Sequence, residues 1–508
     1  MNSEIMEFST LLLTVLTAVC LYYFVSKLSY FERLKIPHVR PIPLLGNMAP
    51  FIFRRVAMAD NLLNIYNLFP DAKYFGFFEF MQPKYVIRDP DLINSIAIKN
   101  FDYFCDHERV INEEYEPIVS RNLFCLRGNE WNKMRKLLSP SFTSSKIKMM
   151  FELMCECAKN FTDFLITESG DTGKTYDMQD MISKYSNDVI ATCAFGINMD
   201  SFKHPNNDFY LLGKKNMSFT NPLLVFTSLI NRNFPNIAKL FRIRVFSTKA
   251  NNFFKNIVTS IVKARNEQGI VRPDMIQLMM EAKDQDHRPT FDINEITAQA
   301  FVFYLAGFDS VSRTMCFAAH EIAVNPNIQS KLKEEIEDVL KETNNKPTYE
   351  AINGMIYMDA VVKEVTRFYS SIFLDRVCVK EFVLPPATPD GKPIKLKPGD
   401  TIWFPIYALH HDSKYYSQPE KFNPDRFLND EVDNSVYHPL GIGRRICIGN
   451  RLAAMETKVM LFYLLWHCDL EPDTKTRNPI VLGKKSFALT SENGFWLKMR
   501  ARKSSIST

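Results

Sequence analysis

The residue best suited to chemistry is a cysteine in a glycine-rich loop. The run from Pro439 to Gly449 reads PLGIGRRICIG, and glycine permits positive φ angles and close backbone approach to a flat ligand. Apolar residues then repeat at helical spacing, which places Cys447 just before a helix, beside Arg444 and Arg445. The helix dipole and both guanidinium groups would favour the thiolate. Such a sulfur can ligate a soft metal or act as a nucleophile.

The loop alone leaves the nucleophile alternative open, because His438 lies close enough in sequence to act as its base. A dinucleotide site is disfavoured, since no third glycine follows Gly441 and Gly443 at the required place. The cysteines contain no CxxC pair, so neither a disulfide framework nor a zinc ribbon is indicated. This pattern is typical of a reducing compartment.

Composition indicates a globular protein. The 508 residues could hold about three domains, and 46% hydrophobic with 23% charged residues excludes a disordered chain. A net charge of +5 is too small to indicate a nucleic-acid partner. Forty-one Phe against seventeen Gly means many rings and few flexible hinges.

The N-terminus predicts a membrane anchor. Phe8–Ser26 carries no charge and, as a helix, matches about one hydrocarbon thickness. Two glutamates precede it and basic residues follow, so the body should be cytosolic. A cleaved signal peptide is the alternative, but the basic start is missing. The predicted organisation is a single transmembrane anchor helix over 1–28, a proline-rich hinge over 29–50 and one catalytic domain over 51–508.

The body is predicted to be mostly α with small β-sheets. A strand ending at Ile87 is stopped by Asp89-Pro90, and the run 392–404 predicts strand, turn, strand. A helix of roughly thirty residues should start at Asp292, with Glu295 completing a capping box, and end before Pro326.

The loop resembles the haem-binding signature of the cytochrome P450 superfamily, Phe-x-x-Gly-x-Arg-x-Cys-x-Gly. Gly443, Arg445, Cys447 and Gly449 match it, while Leu440 replaces the usual phenylalanine. Four further elements follow the family's order along nearly the whole chain. The resemblance implies the P450 fold, preceded by its single N-terminal transmembrane helix, and haem b with Cys447 as the iron ligand.

The resemblance also assigns cofactor contacts elsewhere. Trp131 and Arg135, one helical turn apart, and later Arg376, match positions that bind haem propionates, and both residue types can donate hydrogen bonds. Arg445 and Ala306 are the other implied contacts. The usual paired prolines before Arg376 are serines here, at positions 370 and 371.

The segment Ala306–Ser310 matches the oxygen-binding groove of the family. Gly307 inside a helix costs about 1 kcal/mol relative to alanine, which suggests that the groove is needed. The resemblance makes Asp309 and Ser310 the catalytic proton relay; serine replaces the usual threonine and lacks the methyl that restricts its rotamer. An incidental polar pair on an amphipathic helix is the alternative.

Glu364 and Arg367 lie off the apolar face of their predicted helix. A surface ion pair worth less than about 0.5 kcal/mol is one interpretation. The resemblance instead implies a buried triad with Arg426 that supports the cysteine loop, a structural role in which lysine could not replace Arg367.

The implied function is a haem-thiolate monooxygenase, an enzyme that inserts one atom of dioxygen into apolar small molecules. Electrons would come from NADPH through a flavoprotein reductase, with cytochrome b5 as a further possible partner. Basic residues could meet the reductase, or could be ordinary solvated charges: Arg127, Lys133, Lys136 and Arg444. The implied location is the endoplasmic reticulum membrane, in contact with lipid.

The overall sequence texture looks most like insect microsomal members that metabolise xenobiotics, which suggests insecticide detoxification. The pocket residues implied are Val302, Leu305, Ala306, Ile372 and Phe373. The Phe- and Leu-rich stretch 202–254 is either a membrane-facing lid or ordinary core. Alternatives are oxidation of an endogenous lipid, hormone or fatty acid, a reductase-independent haem peroxide isomerase, and a thiol-dependent hydrolase without haem.

Overall fold

A computed structural model describes residues 2–170, 172–216, 221–272, 274–282, 291–429 and 431–502. The side chains of residues 2–6, 13, 16, 19–21, 216 and 222 also lie outside this description. The chain forms two compact units, each assembled from two stretches of sequence. The first unit comprises residues 1–108 and 373–405, and the second comprises residues 109–372 and 406–508.

Helices dominate the described residues, as predicted. In chain order they are α1 (Asn2–Leu28), α2 (Tyr30–Arg33), α3 (Ala49–Ile52), α4 (Met58–Asn67), α5 (Pro90–Asn94), α6 (Gly128–Leu138), α7 (Ser144–Ser169), α8 (Met178–Ile190), α9 (Asp208–Asn216), α10 (Pro222–Asn233), α11 (Pro235–Leu240), α12 (Thr248–Gln268), α13 (Met275–Glu281), α14 (Ile293–Leu305), α15 (Ser312–Val324), α16 (Pro326–Glu342), α17 (Tyr349–Gly354), α18 (Ile356–Phe368), α19 (Ile406–His410) and α20 (Asn450–His467). Wider π-helical turns occur at Ser95–Lys99, Ala191–Phe195 and Ala306–Val311.

The strands form small sheets. They are β1 (Tyr74–Glu79), β2 (Gln82–Ile87), β3 (Lys174–Asp177), β4 (Leu374–Val377), β5 (Phe382–Leu384), β6 (Ile394–Leu396), β7 (Thr401–Phe404), β8 (Cys468–Pro472) and β9 (Trp496–Ala501). The first unit holds a sheet of order β1-β2-β7-β4 and the pair β5-β6, and the second unit holds β3-β9-β8. The two strands predicted within 392–404 therefore belong to different sheets, because β6 pairs with β5 while β7 lies between β2 and β4.

The first helix, α1, covers the charge-free run that was predicted to cross a membrane. Among the residues the structure describes, no helix combines the length and the apolar character that a membrane crossing requires. The predicted transmembrane segment is therefore not found there. The boundaries proposed at residues 28 and 50 stay predictions.

A long helix of the second unit begins where the sequence predicts. The Asp292 side chain accepts from the Glu295 N–H at 2.7 Å, and the Glu295 carboxylate accepts from the Asp292 N–H at 2.9 Å. The helix continues through α14, the turn Ala306–Val311 and α15 to Val324, and Pro326 starts α16. The capping box thus marks the true start of the helix.

Replacing Glu456 by glutamine should flatten the pH dependence of stability. Glu456, on α20, is 1% exposed, and burial raises the pKa of its carboxyl to about 8. Between about pH 4.5 and 8 the folded chain keeps a proton that the unfolded chain has lost, so stability falls as pH rises and levels off above about 8. The variant should lose up to about 1.4 kcal/mol per pH unit of this slope, measured by denaturant unfolding across that window.

Other buried carboxyls set the background for that measurement. Burial raises the pKa values of Asp188 and Glu321 to about 7, so both add slope of the same sign and the variant keeps part of the pH dependence. An unchanged slope in Glu456→Gln would contradict a neutral Glu456 in the folded state.

Candidate functional site

Glu364, Arg367 and Arg426 come together in the second unit. Glu364 and Arg367, one turn apart on α18, are fully buried, and Arg426 is 2% exposed. The Arg367 guanidinium donates Nε to Glu364 Oε2 at 2.7 Å and Nη2 to Oε1 at 2.8 Å, a bidentate pair. Arg426 Nε donates to Glu364 Oε1 at 3.2 Å. Complete burial excludes the surface-pair interpretation.

The triad ties α18 to the end of α19 and to the irregular backbone that follows it. Arg367 Nη1 donates to the carbonyl oxygens of His410 and Pro419 at 2.8 and 3.0 Å, and Arg426 Nη1 donates to that of Ser417 at 3.0 Å. Glu364 Oε1 also accepts from the Asn423 N–H at 2.8 Å. These bonds satisfy backbone groups of a segment without regular structure, so the triad fixes the path of the chain that leads to the cysteine loop.

The cysteine loop is a tight turn closed by its own backbone. The Cys447 N–H donates to the Leu440 carbonyl at 2.9 Å, and the Ile446 N–H donates to the Gly443 carbonyl at 3.1 Å. Gly441 has a φ of 105°, and a Cβ there would lie 3.2 Å from Ile446 Cα. The positive φ therefore favours glycine at 441, and a Cβ would in addition be tight against Ile446.

Cys447 is solvent-accessible as a residue, although protein atoms crowd its sulfur enough to raise the pKa of the thiol above its ordinary value. The Gly449 N–H and the Arg135 guanidinium lower that pKa but do not cancel the effect of burial. Burial thus opposes the expected preference for the thiolate, and that expectation stays a prediction. A metal bound to Cys447 would stabilise the thiolate, since a coordinating thiol loses its proton outright.

His438 is placed unlike a catalytic base. Its ring is buried, and Nε2 lies 2.8 Å from the Ser435 carbonyl, to which it donates as the protonated nitrogen. Burial lowers the pKa of His438. The ring therefore stabilises the turn before the loop, and this geometry disfavours the nucleophile alternative.

Trp131 and Arg445 lie in contact. The Arg445 guanidinium carbon is 4.0 Å from the centre of the Trp131 ring, and Arg445 Nη2 donates to the Leu126 carbonyl at 3.1 Å. Arg135 follows one turn after Trp131 on α6; burial lowers its pKa, and the charge of Cys447 opposes that shift. The structure thus groups three predicted cofactor contacts around the loop.

Arg376 belongs to the first unit, on β4. It is 1% exposed, it donates Nη1 to the Asp375 carbonyl at 2.7 Å, and burial lowers its pKa to about 10. In the same unit Phe373 stacks on Trp403 with ring centres 3.9 Å apart. The role of Arg376 toward a propionate and that of Phe373 in a pocket wall stay predictions.

The wide turn Ala306–Val311 presents its residues to two different sides. Ala306 and Ser310 are exposed, and Ser310 Oγ donates to the Ala306 carbonyl at 2.6 Å. Asp309 is 3% exposed and forms an ion pair with Arg313 one turn later. Sequence reasoning missed Arg313, although its i, i+4 spacing from Asp309 is the signal for such a pair.

Gly307 allows two helices to approach closely, so Gly307→Ala should destabilise the protein. A Cβ at 307 would lie 2.4 Å from both Cγ1 and Cδ1 of buried Ile190, the last residue of α8. Helix propensity alone predicts a gain of about 1 kcal/mol from alanine. Overpacking should outweigh it and leave a loss of about 1–3 kcal/mol in the free energy of unfolding.

The double variant Gly307→Ala with Ile190→Ala is the control for this clash. Relief of the contact should make it more stable than the sum of the two single changes, a coupling measured by a double-mutant cycle. Independent effects, or a stabilised Gly307→Ala, would contradict the steric role.

The Phe-rich stretch 202–254 contains both core and surface residues. Phe209 on α9 and Phe254 on α12 pack against Tyr304 of α14 with ring centres 4.8 and 5.0 Å away. Other apolar side chains of the stretch are exposed by 60% or more: Leu223, Phe226, Leu240 and Phe241. Val302 and Leu305 are half-buried and Ile372 is buried, so their role as substrate contacts stays a prediction.

Sequence reasoning also missed Glu116. It is 1% exposed, and its carboxylate accepts from the N–H groups of Val245 and Phe246 at 2.9 and 2.8 Å. It joins the segment before α6 to the segment before α12. A single glutamate in an irregular stretch carries no sequence signal for such a bond.

The chemistry of this donor set fits haem. Cys447 offers a soft sulfur on a glycine-rich turn, Arg445 of the same turn lies against Trp131, and Arg135 is close enough to lower the pKa of the thiol. Arginine and tryptophan can both donate hydrogen bonds to carboxylates. Cys447 would hold the iron, and these three residues would bind the propionates.

Comparison with known proteins decides the family. The family model described as Cytochrome P450 matches residues 37–497. The chain is a cytochrome P450. This P450 is similar to cytochrome P450 9e2 of Blattella germanica, with 43% identity covering 93% of this chain and 94% of the relative. It is also 38% identical to the probable cytochrome P450 9f2 of Drosophila melanogaster, covering 93% and 95%, and 32% identical to cytochrome P450 6j1 of Blattella germanica, covering 97% and 99%. The predicted family and its insect character are confirmed, and P450 enzymes are haem-iron monooxygenases.

Proposed function

We propose that this P450 oxidises apolar small molecules, chiefly xenobiotics, with electrons from NADPH delivered by a flavoprotein reductase. The observation that carries the proposal is the exposed residue Cys447 on a loop whose Arg445 contacts Trp131 and whose thiol lies close enough to Arg135 for the guanidinium to lower its pKa. When bound there, haem activates dioxygen, because a thiolate ligand favours O–O cleavage. The family's insect relatives support the xenobiotic class.

The chain's own residues would orient the substrate and move protons. Ser310 is exposed and its hydroxyl donates to Ala306, so rotation of that hydroxyl can redirect its proton to the open side of the helix. Asp309, once released from Arg313, would take up a proton from solvent and pass it to the relay. Val302, Leu305, Ala306, Ile372 and Phe373 are the proposed substrate contacts.

Membrane attachment and the redox partner complete the proposal. The exposed side chains of Phe8, Leu11 and Leu12 on α1 support contact with the endoplasmic reticulum membrane. Exposed Lys133 and Lys136 on α6 support docking of an acidic reductase face. Because each compact unit uses two stretches of the chain, we propose that residues 51–508 work as one catalytic domain.

The carbon monoxide difference spectrum of the reduced protein, followed by turnover with NADPH and reductase, tests the proposal. We expect the red-shifted Soret band from which the family takes its name, and product formation from apolar substrates that shift the Soret band on binding. Absence of the band would overturn haem-thiolate ligation. Turnover with a hydroperoxide but never with NADPH and reductase would support a peroxide isomerase instead.

Replacing Ser310 by alanine should leave the carbon monoxide spectrum unchanged and increase peroxide release per NADPH consumed. The change removes the hydroxyl proposed to deliver protons, and general acid–base groups contribute on the order of 10²–10⁴-fold to rate. Product and peroxide are measured in the same reaction.

Ser312→Ala is the matched control, because Ser312 Oγ donates to the Phe308 carbonyl at the same distance, 2.6 Å, from the buried side of the helix. We expect its coupling to match wild type. Equal coupling in the Ser310 variant would refute the relay.

A further inference from the structure

His410 lies between the buried triad and the cysteine loop. It is fully buried at the end of α19, and its carbonyl accepts from Arg367 Nη1 at 2.8 Å. Its Nδ1 lies 3.2 Å from the Arg367 carbonyl oxygen, and its Nε2 accepts from the His438 N–H at 3.1 Å. One imidazole therefore contacts α18 on one side and the start of the loop on the other.

Only one protonation state satisfies both contacts. A backbone N–H always donates, so Nε2 must carry a lone pair, while a carbonyl always accepts, so Nδ1 must carry the proton. The neutral Nδ1–H tautomer is therefore required. Burial and the nearby Arg367 charge hold the pKa of His410 well below its ordinary value, in agreement with this tautomer.

From His438, which donates to the His410 imidazole, backbone hydrogen bonds continue to the cysteine. The His438 carbonyl accepts from the Gly441 N–H at 3.4 Å, and the Leu440 carbonyl accepts from the Cys447 N–H at 2.9 Å. The rings of His410 and Tyr437 stack with centres 5.6 Å apart, which restricts the imidazole plane. Displacement of the His438 N–H would therefore move the turn that carries Cys447.

We propose that His410 is a positioning residue that sets the place of the cysteine loop, through its Nε2 lone pair and the His438 N–H. The triad holds His410, and His410 holds the loop. The inference rests on the proposed function only where it concerns iron ligation by Cys447. The placement of the loop by His410 is a property of the polypeptide and can be tested without haem.

Two substitutions separate the two ends of the imidazole. In His410→Gln the amide oxygen can take the place of Nε2 and accept from the His438 N–H, while in His410→Asn the shorter amide retains only the position of Nδ1. We expect His410→Asn to speed amide hydrogen exchange in a peptide covering 436–449 by about tenfold or more, because a buried N–H loses its partner. His410→Gln should exchange at nearly the wild-type rate.

The neighbouring histidine supplies a matched control. His411 Nδ1 bonds to the Tyr407 carbonyl at 2.8 Å and its ring packs on Tyr407, so His411→Asn should leave exchange in 436–449 unchanged. A peptide covering α18 reports the triad, and its exchange should stay at the wild-type rate in both His410 variants. Selective loss of protection in the loop is a result that general destabilisation would not give.

The spectrum adds a second readout in the haem-loaded protein. We expect His410→Asn to convert part of the red-shifted carbon monoxide band to the shorter-wavelength form that marks loss of thiolate ligation, and His410→Gln to restore it. Wild-type exchange in His410→Asn, or equally fast exchange in His410→Gln, would overturn the proposal. If His410→Asn does not fold, the exchange rate of 436–449 in His410→Gln decides: the wild-type rate supports the proposal, and fast exchange overturns it. A wild-type protein without the band would refute the proposed function, while the exchange experiment would still test His410.

Discussion

Replacement of Cys447 by alanine is expected to abolish both the red-shifted carbon monoxide band and all NADPH-dependent oxygenation. The change removes the sulfur of the loop but keeps the bond from the residue 447 N–H to the Leu440 carbonyl. The loop should therefore keep its shape while offering no side-chain ligand. Without thiolate donation O–O cleavage loses its electronic driving force, so the loss should be complete rather than partial. The spectrum and product formation are measured on the same preparation.

Cys125→Ala is a suitable control, because it removes a half-buried thiol from the same unit outside the loop. We expect it to keep the band and the activity. A red-shifted band in Cys447→Ala would mean that another group binds the iron. A wild-type protein that lacks the band yet hydrolyses substrates through Cys447 would instead revive the thiol hydrolase, which the orientation of His438 toward Ser435 disfavours.

Features that depend on near neighbours in sequence were predictable. The capping box of Asp292 and Glu295 marks a helix start because both bonds close within one turn. Asp89 and Pro90 lie between the end of β2 and the start of α5, and their effect is also local. The Asp89 carboxylate accepts from the Leu92 N–H at 2.8 Å. Local chemistry of this kind needs no knowledge of the fold.

Features that depend on distant partners were not predictable from the residues alone. The need for glycine at 307 comes from Ile190 on another helix, and the guanidinium of Arg445 rests on the ring of Trp131, which is distant in sequence. The spacing of Glu364 and Arg367 allowed either a surface pair or a buried triad. Only burial and the arrival of Arg426 distinguish the two. Each of these features depends on which parts of the chain pack together, and the spacing of residues in the sequence does not determine that packing.

The excess of phenylalanine follows the same division. Phe209 and Phe254 lie in the core against Tyr304, so many rings attach α9 and α12 to the long helix, where aromatic pairs add about 0.5–1.5 kcal/mol each beyond burial. Phe226 and Phe241, from the same stretch, remain 60% and 69% exposed. Composition could not separate these populations, because both consist of the same residue at similar spacing.

Replacement of Arg367 by lysine is expected to lower the free energy of unfolding by about 3 kcal/mol or more, despite the retained charge. Arg367 is fully buried and uses three nitrogens: two donate to Glu364, and the third serves the carbonyls of His410 and Pro419. A lysine ammonium is one point of charge and cannot reproduce this planar fork. The change would leave buried acceptors unsatisfied at about 1–3 kcal/mol each. Denaturant unfolding measures the loss, and haem retention should fall with it, because His410 and the loop depend on Arg367.

Lys363→Met tests whether burial causes this effect. Lys363 lies on the same helix and pairs with Asp359 at 2.9 Å, but the two side chains are 48% and 38% exposed. Asp359 also keeps Lys458 at 2.7 Å, so no charge is left unpaired. An exposed pair of this kind contributes less than about 1 kcal/mol, and the control should stay close to wild type in stability and haem retention. If Arg367→Lys were as stable as this control, the bidentate bond to Glu364 would not be what holds the chain before the cysteine loop. The loop would then have to be held by the hydrogen bonds of its own turn.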